Sequence, residues 1–152
     1  MSELYPEVNG AIEEILGEHG VYASVVRGSS MRPMLKAGRD VVCIFPISKP
    51  PRKYDVLLYK RGERYILHRI IGFYPEGYII RGDNTYKKEY VKKDAAVGVL
   101  GRFNRLGREY SSDGFVFYLY GMLVQLFYLP RFCLVSLKHI LERKLKKQQK
   151  EN

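Results

Sequence analysis

The chain has 152 residues, an apolar fraction of 46% and a formal net charge of +10. This length suits one domain with a substantial core, and the apolar fraction excludes an intrinsically disordered chain. The excess charge is uneven, because residues 131–152 contain seven Lys or Arg and two Glu, a surplus of five positive charges. We therefore expect a basic tail that is solvated or lies on anionic lipid, and no nucleic-acid-binding body.

The N-terminal segment predicts a short helix. Residues 1–20 contain acidic residues and no long apolar run, so we expect neither a signal peptide nor an N-terminal membrane span, and a body that begins in the cytosol. Apolar residues recur there at helical spacing, ahead of two glycines: Val8, Ile12, Ile15 and Leu16, then Gly17 and Gly20. This pattern is typical of an amphipathic helix that packs on a body.

From Val21 to about Leu106 the sequence consists of short β-branched and aromatic runs bounded by Gly, Pro and Asp. Such runs predict strands at 21–26, 40–45, 55–59, 65–73, 77–81 and 96–103. Turn residues at 61–62 and 75–77 indicate consecutive hairpins. We therefore predict a mainly β, barrel-like domain that occupies residues 1–110 together with the N-terminal helix.

The remaining residues, 111–152, predict a hydrophobic and then basic helical tail. Residues 115–129 are apolar apart from Gln125, and after Pro130 and Arg131 a second apolar run leads into a basic helical pattern. A membrane-spanning helix needs about 20 unbroken apolar residues, and a basic end resists translocation. We expect membrane association as a hydrophobic hairpin or interfacial helix; the alternative is a helix packed on the body or on a partner.

The octapeptide from Gly28 to Leu35 is the first candidate for catalysis. Gly28 can adopt backbone angles that other residues avoid, and Pro33 fixes its own φ. A tight bend after a strand would expose the Ser30 hydroxyl and leave backbone N–H groups free to bind an oxyanion. The alternative is a Gly-Ser loop whose hydroxyls bond to its own backbone.

His68 and Asp83 are the next candidates. His68 shares a strand face with Ile66 and Ile70, and its ordinary pKa of about 6.5 suits a general base. The alternative is that His68 is a structural residue of the core whose ring makes a hydrogen bond. Asp83 follows a strand within Gly-Asp-Asn, where it would either cap a turn or orient an imidazole. Glu89 and Asp94 are rivals for that orienting role.

Together these motifs resemble the signal peptidase I superfamily, which also contains the LexA-type self-cleaving repressors. The resemblance covers residues 21–104 and consists of four motifs in a fixed order: Gly28 to Leu35 with Gly38 and Asp40, then His68-Arg69, then Gly82-Asp83-Asn84, then Gly98 to Phe103. It implies a LexA/signal peptidase-like β-rich fold in which Ser30 is the nucleophile. A His-Arg pair is similar to the endoplasmic-reticulum and archaeal subclass, in which histidine is the base.

The resemblance also implies roles for neighbouring residues and a function. Ser29, Met31 and Pro33 would contact substrate, and either Asp83 or Glu89 would assist His68. The expected protein is a serine endopeptidase that cleaves signal or leader peptides after small residues, with a peptide or preprotein as partner and no metal or cofactor. Self-cleavage and repression are not expected. The alternative is a catalytically inactive adaptor that binds peptides on the same fold.

Overall fold

A computed structural model describes residues 11–128 and 130. This part of the chain is mainly β, with one antiparallel sheet and two α-helices. In chain order the elements are α1 (Ile12–His19), β1 (Tyr22–Val25), β2 (Val41–Phe45), β3 (Val56–Arg61), β4 (Arg64–Tyr74), β5 (Gly77–Arg81), β6 (Glu89–Lys92), β7 (Ala96–Arg105), β8 (Arg108–Ser111) and α2 (Phe115–Leu126). The predicted helix residue Val8 and the basic pattern from Lys138 onward lie outside the described residues.

The structure confirms the predicted strands and adds two that were not predicted. All six predicted runs form strands, and β3, β4 and β5 are consecutive hairpins. The additions are β6 and β8, whose sequences are rich in charged residues and have weak strand propensity. They become strands because each pairs with a longer neighbour, β6 with β5 and β8 with β7.

The sheet buries both faces of β3. The strand order is β1-β2-β7-β3-β4-β5-β6, with β8 paired to β7 off this path. Val56 and Leu58 point into one hydrophobic cluster, which includes residues of both helices, whereas Leu57 and Tyr59 point into a second cluster with β4, β5 and β6. Alternate side chains of a strand point to opposite faces, so β3 separates two cores.

This arrangement corrects the expectation of a barrel. Within the described residues the sheet does not close, and β1 and β6 stand at opposite ends of the strand order. A barrel would bury one face of every strand against a single interior. Here the central strand instead contacts separate cores on its two faces.

Helix α2 packs on the body through one side. Phe117 and Gly121 are its buried residues. A Cβ atom at Gly121 would lie 2.9 Å from Tyr54 Cβ and 3.0 Å from Arg69 Nη1, so only glycine allows this close approach. Among residues 11–128 and 130, no helix combines the length and apolar character needed to cross a bilayer.

Candidate active site

Ser30 lies in a tight bend between β1 and β2, which we call the Ser30 loop (residues 26–40). Gly28 and Gly38 have φ angles of 77° and 70°, in the left-handed region that favours glycine. The prediction for Gly28 is thereby confirmed. Ser30 is partly exposed, and the loop is anchored to the core by three buried residues: Met31, Met34 and Leu35.

Asp40 closes the Ser30 loop. Its fully buried carboxylate accepts hydrogen bonds from Lys36 N–H (2.9 Å) and from Arg39 Nε (2.5 Å) and Nη2 (2.8 Å). Its backbone carbonyl accepts from Val26 N–H at 2.8 Å, which pins the two ends of the loop together. Burial acts to raise the pKa of Asp40, but the hydrogen bonds from Arg39 and Lys36 outweigh it and lower that pKa. The carboxylate therefore stays ionised and holds the loop in shape.

His68 is held at its Nδ1 edge. It lies on β4 opposite Leu57 and is 6% exposed. The hydroxyl of Tyr59 is 3.4 Å from Nδ1, and Glu89 Oε1 is 3.6 Å from the same atom. Tyr59 donates its hydroxyl proton to Glu89 Oε2 at 2.9 Å, so the tyrosine oxygen accepts from His68 in the tautomer that carries the proton on Nδ1. That tautomer leaves Nε2 free to accept a proton.

Burial keeps the imidazole neutral. It lowers the pKa of His68 from its ordinary value of 6.5, and the nearby positive charge of Arg61 acts in the same direction. The negative charges of Glu89 and Asp83 act to raise the pKa but do not overcome burial. His68 is therefore unprotonated near pH 7, the form that a general base requires.

Gly82 brings the imidazole and the Ser30 loop together. A Cβ atom at Gly82 would lie 2.7 Å from the Ser30 carbonyl oxygen and 3.0 Å from His68 Nε2, so a side chain does not fit between them. Asn84 N–H donates to the same Ser30 oxygen at 2.7 Å, and Asn84 Nδ2 donates to Ser29 O at 3.2 Å. The predicted motifs thus meet in space, with Nε2 facing the backbone that carries the serine.

The described residues contain no hydrogen bond between Ser30 Oγ and His68. Contacts between a nucleophile and its base are often long before substrate binds and tighten in the complex. The geometry thus brings the backbone of Ser30 close to the imidazole without the short contact of an assembled dyad.

Asp83 forms its ion pair with Arg69 and not with His68. Its two carboxylate oxygens accept from Arg69 Nε (2.7 Å) and Nη2 (2.8 Å), and both side chains are fully buried. Arg69 also donates to the Tyr54 carbonyl oxygen (2.8 Å) and lies 5.0 Å from the centre of the Phe117 ring of α2. The structure therefore places Glu89, and not Asp83, beside Nδ1 of His68, while Asp83 holds the residue next to that histidine.

The residues expected to contact substrate lie in different environments. Ser29 and Pro33 are exposed, and the peptide bond that precedes Pro33 is cis. Met31 is 4% exposed and belongs to the core cluster, so its side chain anchors the Ser30 loop. Its backbone, rather than its side chain, is the part next to the serine.

Tyr59 is a site residue that the sequence analysis missed. The hairpin register pairs Leu57 with His68 and Tyr59 with Ile66, so Tyr59 lies diagonally across from His68 on the same face. The sequence contained the information needed to predict this proximity, because the turn at Gly62 fixes the register of the hairpin. An aromatic residue in an apolar run nevertheless has the pattern of an ordinary core position.

A cavity of about 420 Å³ lies away from these residues, near the connection between β2 and β3. Its lining includes Phe45, Pro51, Arg52 and Gly101, and none of Ser30, His68 or Glu89. Within the described part of the chain, no cluster of three or more His, Cys, Asp or Glu is placed to hold a metal ion. The backbone contacts of Ser30 and the side-chain contacts of His68, and not a cavity, define the candidate site.

No protein-family model matches this chain, and a search of curated proteins finds no match.

Replacing Glu89 by glutamine tests which carboxylate acts on the imidazole. Because the charge of Glu89 raises the pKa of His68, its removal lowers that pKa, and the acid limb of the pH profile of kcat/KM should move to lower pH. Loss of the orienting charge should also lower kcat/KM by about 10²-fold. The matched control is Glu109→Gln, an exposed partner of Arg102 on the surface. An acid limb that stays at the wild-type pH would contradict this role for Glu89.

Proposed function

We propose that this protein is a serine endopeptidase of the signal peptidase type. Ser30 is the nucleophile, His68 is the general base, and Glu89 with Tyr59 holds the imidazole in the tautomer that accepts at Nε2. The observation that carries the proposal is the close approach at Gly82, where an added Cβ atom would lie 2.7 Å from the Ser30 carbonyl oxygen and 3.0 Å from His68 Nε2. Two motifs distant in sequence converge there around a position that excludes a side chain.

The reaction proceeds through an acyl-enzyme. Ser30 Oγ attacks the scissile carbonyl carbon while its proton passes to His68 Nε2. The tetrahedral intermediate collapses, the C–N bond breaks, and the imidazolium returns the proton to the leaving amine. A water molecule then attacks the Ser30 ester with His68 again as base, which releases the new carboxyl terminus and restores the serine.

Backbone groups would stabilise the oxyanion. Gly28, two residues before the nucleophile, has no side-chain donor, so the backbone N–H of Ser30 and that of a neighbouring residue would supply the hydrogen bonds. Removal of a single donor in such a site typically costs about 10²–10³-fold in rate. The rigid Ser30 loop, fixed by Asp40 and by Asn84, would keep those donors in place.

The proposed substrate is a signal or leader peptide cut after a small residue, as the resemblance of the motifs implies. The partly exposed serine on an open surface suits an extended chain better than a small enclosed ligand. The peptide would be bound in extended form, with its scissile carbonyl at Ser30 and a small side chain on the acyl side.

Covalent labelling tests the proposal. The full chain is treated with a serine-reactive phosphonate ester, and mass spectrometry of proteolytic fragments locates the adduct. Phosphonylation of Ser30, abolished by His68→Ala, is expected, whereas the neighbouring exposed Ser29 should remain unmodified. A synthetic peptide library is then digested to identify new termini after small residues.

The adaptor alternative predicts a different outcome from the same experiment. It is favoured by the missing hydrogen bond between Ser30 Oγ and His68 in the described residues. If the chain binds leader peptides but forms no Ser30 adduct and releases no product over long incubation, the peptidase proposal is overturned and the adaptor stands.

A further inference from the structure

Helix α2 presents an apolar face to solvent. Phe115 and Val116 are 77% and 78% exposed, and Leu126 and Phe127 near its C-terminal end are 66% and 60% exposed. These residues and others between them recur three or four positions apart, so they form one stripe along the helix. The remaining exposed apolar residues of this helix are Tyr118, Met122 and Leu123. Soluble monomers seldom expose so continuous an apolar face without a partner.

The inner side of the same helix is already occupied. Phe117 and Tyr120 lie over the Arg69 guanidinium, with ring centres 5.0 and 5.4 Å from it, and Gln125 accepts a hydrogen bond from Arg81. Because these contacts fix the rotation of the helix, the apolar stripe is held facing outward. Its exposure is a consequence of how α2 docks on the sheet.

Positive charges flank the stripe, and it contains no acidic residue. Residues 115–128 include no charged side chain at all. The ammonium group of Lys53 lies 5.2 Å from the ring centre of Tyr54, and that ring packs edge-on against Tyr118 at 5.1 Å. At the C-terminal end of the stripe, Tyr128 donates to the Tyr86 carbonyl oxygen. Lys87 and Lys88, which directly follow Tyr86, are exposed. In the sequence, residues 131–152 carry a further surplus of five positive charges.

We propose that the outer face of α2 docks on an anionic membrane surface. At about 1.5 Å per residue the helix is about 18 Å long, too short to cross a bilayer, and its amphipathic exposure suits an orientation parallel to the surface. Phenylalanine and leucine side chains enter the region between headgroups and acyl chains, and the flanking lysines contact lipid phosphates. The stripe of a second copy would offer no acidic residue to match those lysines, and exposed Asp113 just before the helix is already paired with Arg52 at 3.2 Å.

Docking in this orientation brings the candidate site to the lipid. Tyr128 donates a hydrogen bond to the Tyr86 carbonyl oxygen. Asn84, two residues before Tyr86, donates to the backbone carbonyls of Ser29 and Ser30. The C-terminal end of α2 is thus connected to the Ser30 loop through one short segment. A peptide that emerges from the membrane surface would reach the serine without leaving the interface. The docking itself does not depend on the proposed peptidase activity.

Vesicle flotation with the full chain tests the proposal. Two vesicle compositions are compared, phosphatidylcholine alone and phosphatidylcholine mixed with phosphatidylglycerol. We expect the chain to float with the mixed vesicles only, and Phe115→Glu with Leu126→Glu to weaken that binding by at least about tenfold. The matched control is Phe73→Glu with Tyr90→Glu, which changes two aromatic residues that are 51% and 67% exposed on other elements. The control should bind as the wild type does.

Three results would overturn the proposal. Equal binding to both vesicle types would show that anionic lipid is not required. Full binding by the doubly substituted α2 variant would assign the interaction to the basic tail alone. The third result would come from light scattering: a wild-type dimer that this variant dissociates, in the absence of vesicle binding, would show that a second copy covers the face.

Leu126→Glu alone replaces the double variant if thermal unfolding shows that the latter does not fold. Ser30→Ala should bind vesicles normally, which separates this test from that of the peptidase.

Discussion

Ser30→Ala is expected to abolish peptide cleavage and to leave the fold unchanged. The side chain lost is one hydroxyl on a partly exposed loop residue, and the contacts that fix this residue are made by its backbone carbonyl to Asn84 N–H and its neighbours. Without the nucleophile no acyl-enzyme forms, and residual turnover would come only from substrate binding and the oxyanion donors. We expect kcat/KM to fall by about 10⁴–10⁶-fold, with the unfolding midpoint unchanged.

The adjacent Ser29 provides a closely matched control. Ser29→Ala removes the same atom one position earlier, on a residue that is also exposed and also contacts Asn84 through its carbonyl oxygen. Its kcat should stay within about threefold of the wild type, since its hydroxyl has no part in the chemistry, and loss of the predicted substrate contact would appear in KM. Cleavage retained by Ser30→Ala, or lost equally in both variants, would contradict the assignment of Ser30.

Asp83→Asn is expected to destabilise the whole domain. Asp83 and Arg69 form a fully buried bidentate ion pair, and the amide of asparagine would leave the guanidinium charge without its counter-ion. Breaking a buried pair on one side typically costs about 3–5 kcal/mol. Denaturant unfolding monitored by circular dichroism should show this loss as a lower midpoint at nearly constant slope.

Two controls sharpen the interpretation. Asp113 pairs with Arg52 at 3.2 Å, but both side chains are more than half exposed, so Asp113→Asn should cost less than about 1 kcal/mol. The double change Arg69→Met with Asp83→Leu removes both charges and should be less destabilised than Asp83→Asn alone. If Asp83→Asn is no less stable than Asp113→Asn, the buried ion pair between Arg69 and Asp83 does not stabilise the fold.

The ion pair and the imidazole have separate tasks because of strand geometry. His68 and Arg69 are consecutive residues of β4, and consecutive side chains of a strand point to opposite faces. His68 faces Tyr59 and Glu89, whereas Arg69 faces Asp83 and helix α2. In the proposed site Asp83 is therefore a positioning residue that holds Arg69 and the turn carrying Gly82, while its charge also acts to raise the pKa of His68.

The local features of this protein follow from its sequence. The β-branched runs predict the strands, the bend at Gly28 requires a residue that tolerates a positive φ, and the alternation around His68 predicts its burial. Each of these depends on backbone sterics or on a period of two along one segment. The proposed peptidase chemistry depends on the resemblance that the order of the motifs around Ser30 and His68 carries.

The tertiary structure alone decides which side chains meet. The partner of His68 depends on β6, a strand with weak propensity whose pairing of Glu89 with Ile80 brings that carboxylate beside the imidazole. Packing also gives β3 a separate core on each face, and the outward stripe of α2 follows from the contacts that Arg69 makes with its inner side. These are relations between segments distant in sequence, and only the packing of the folded chain determines them.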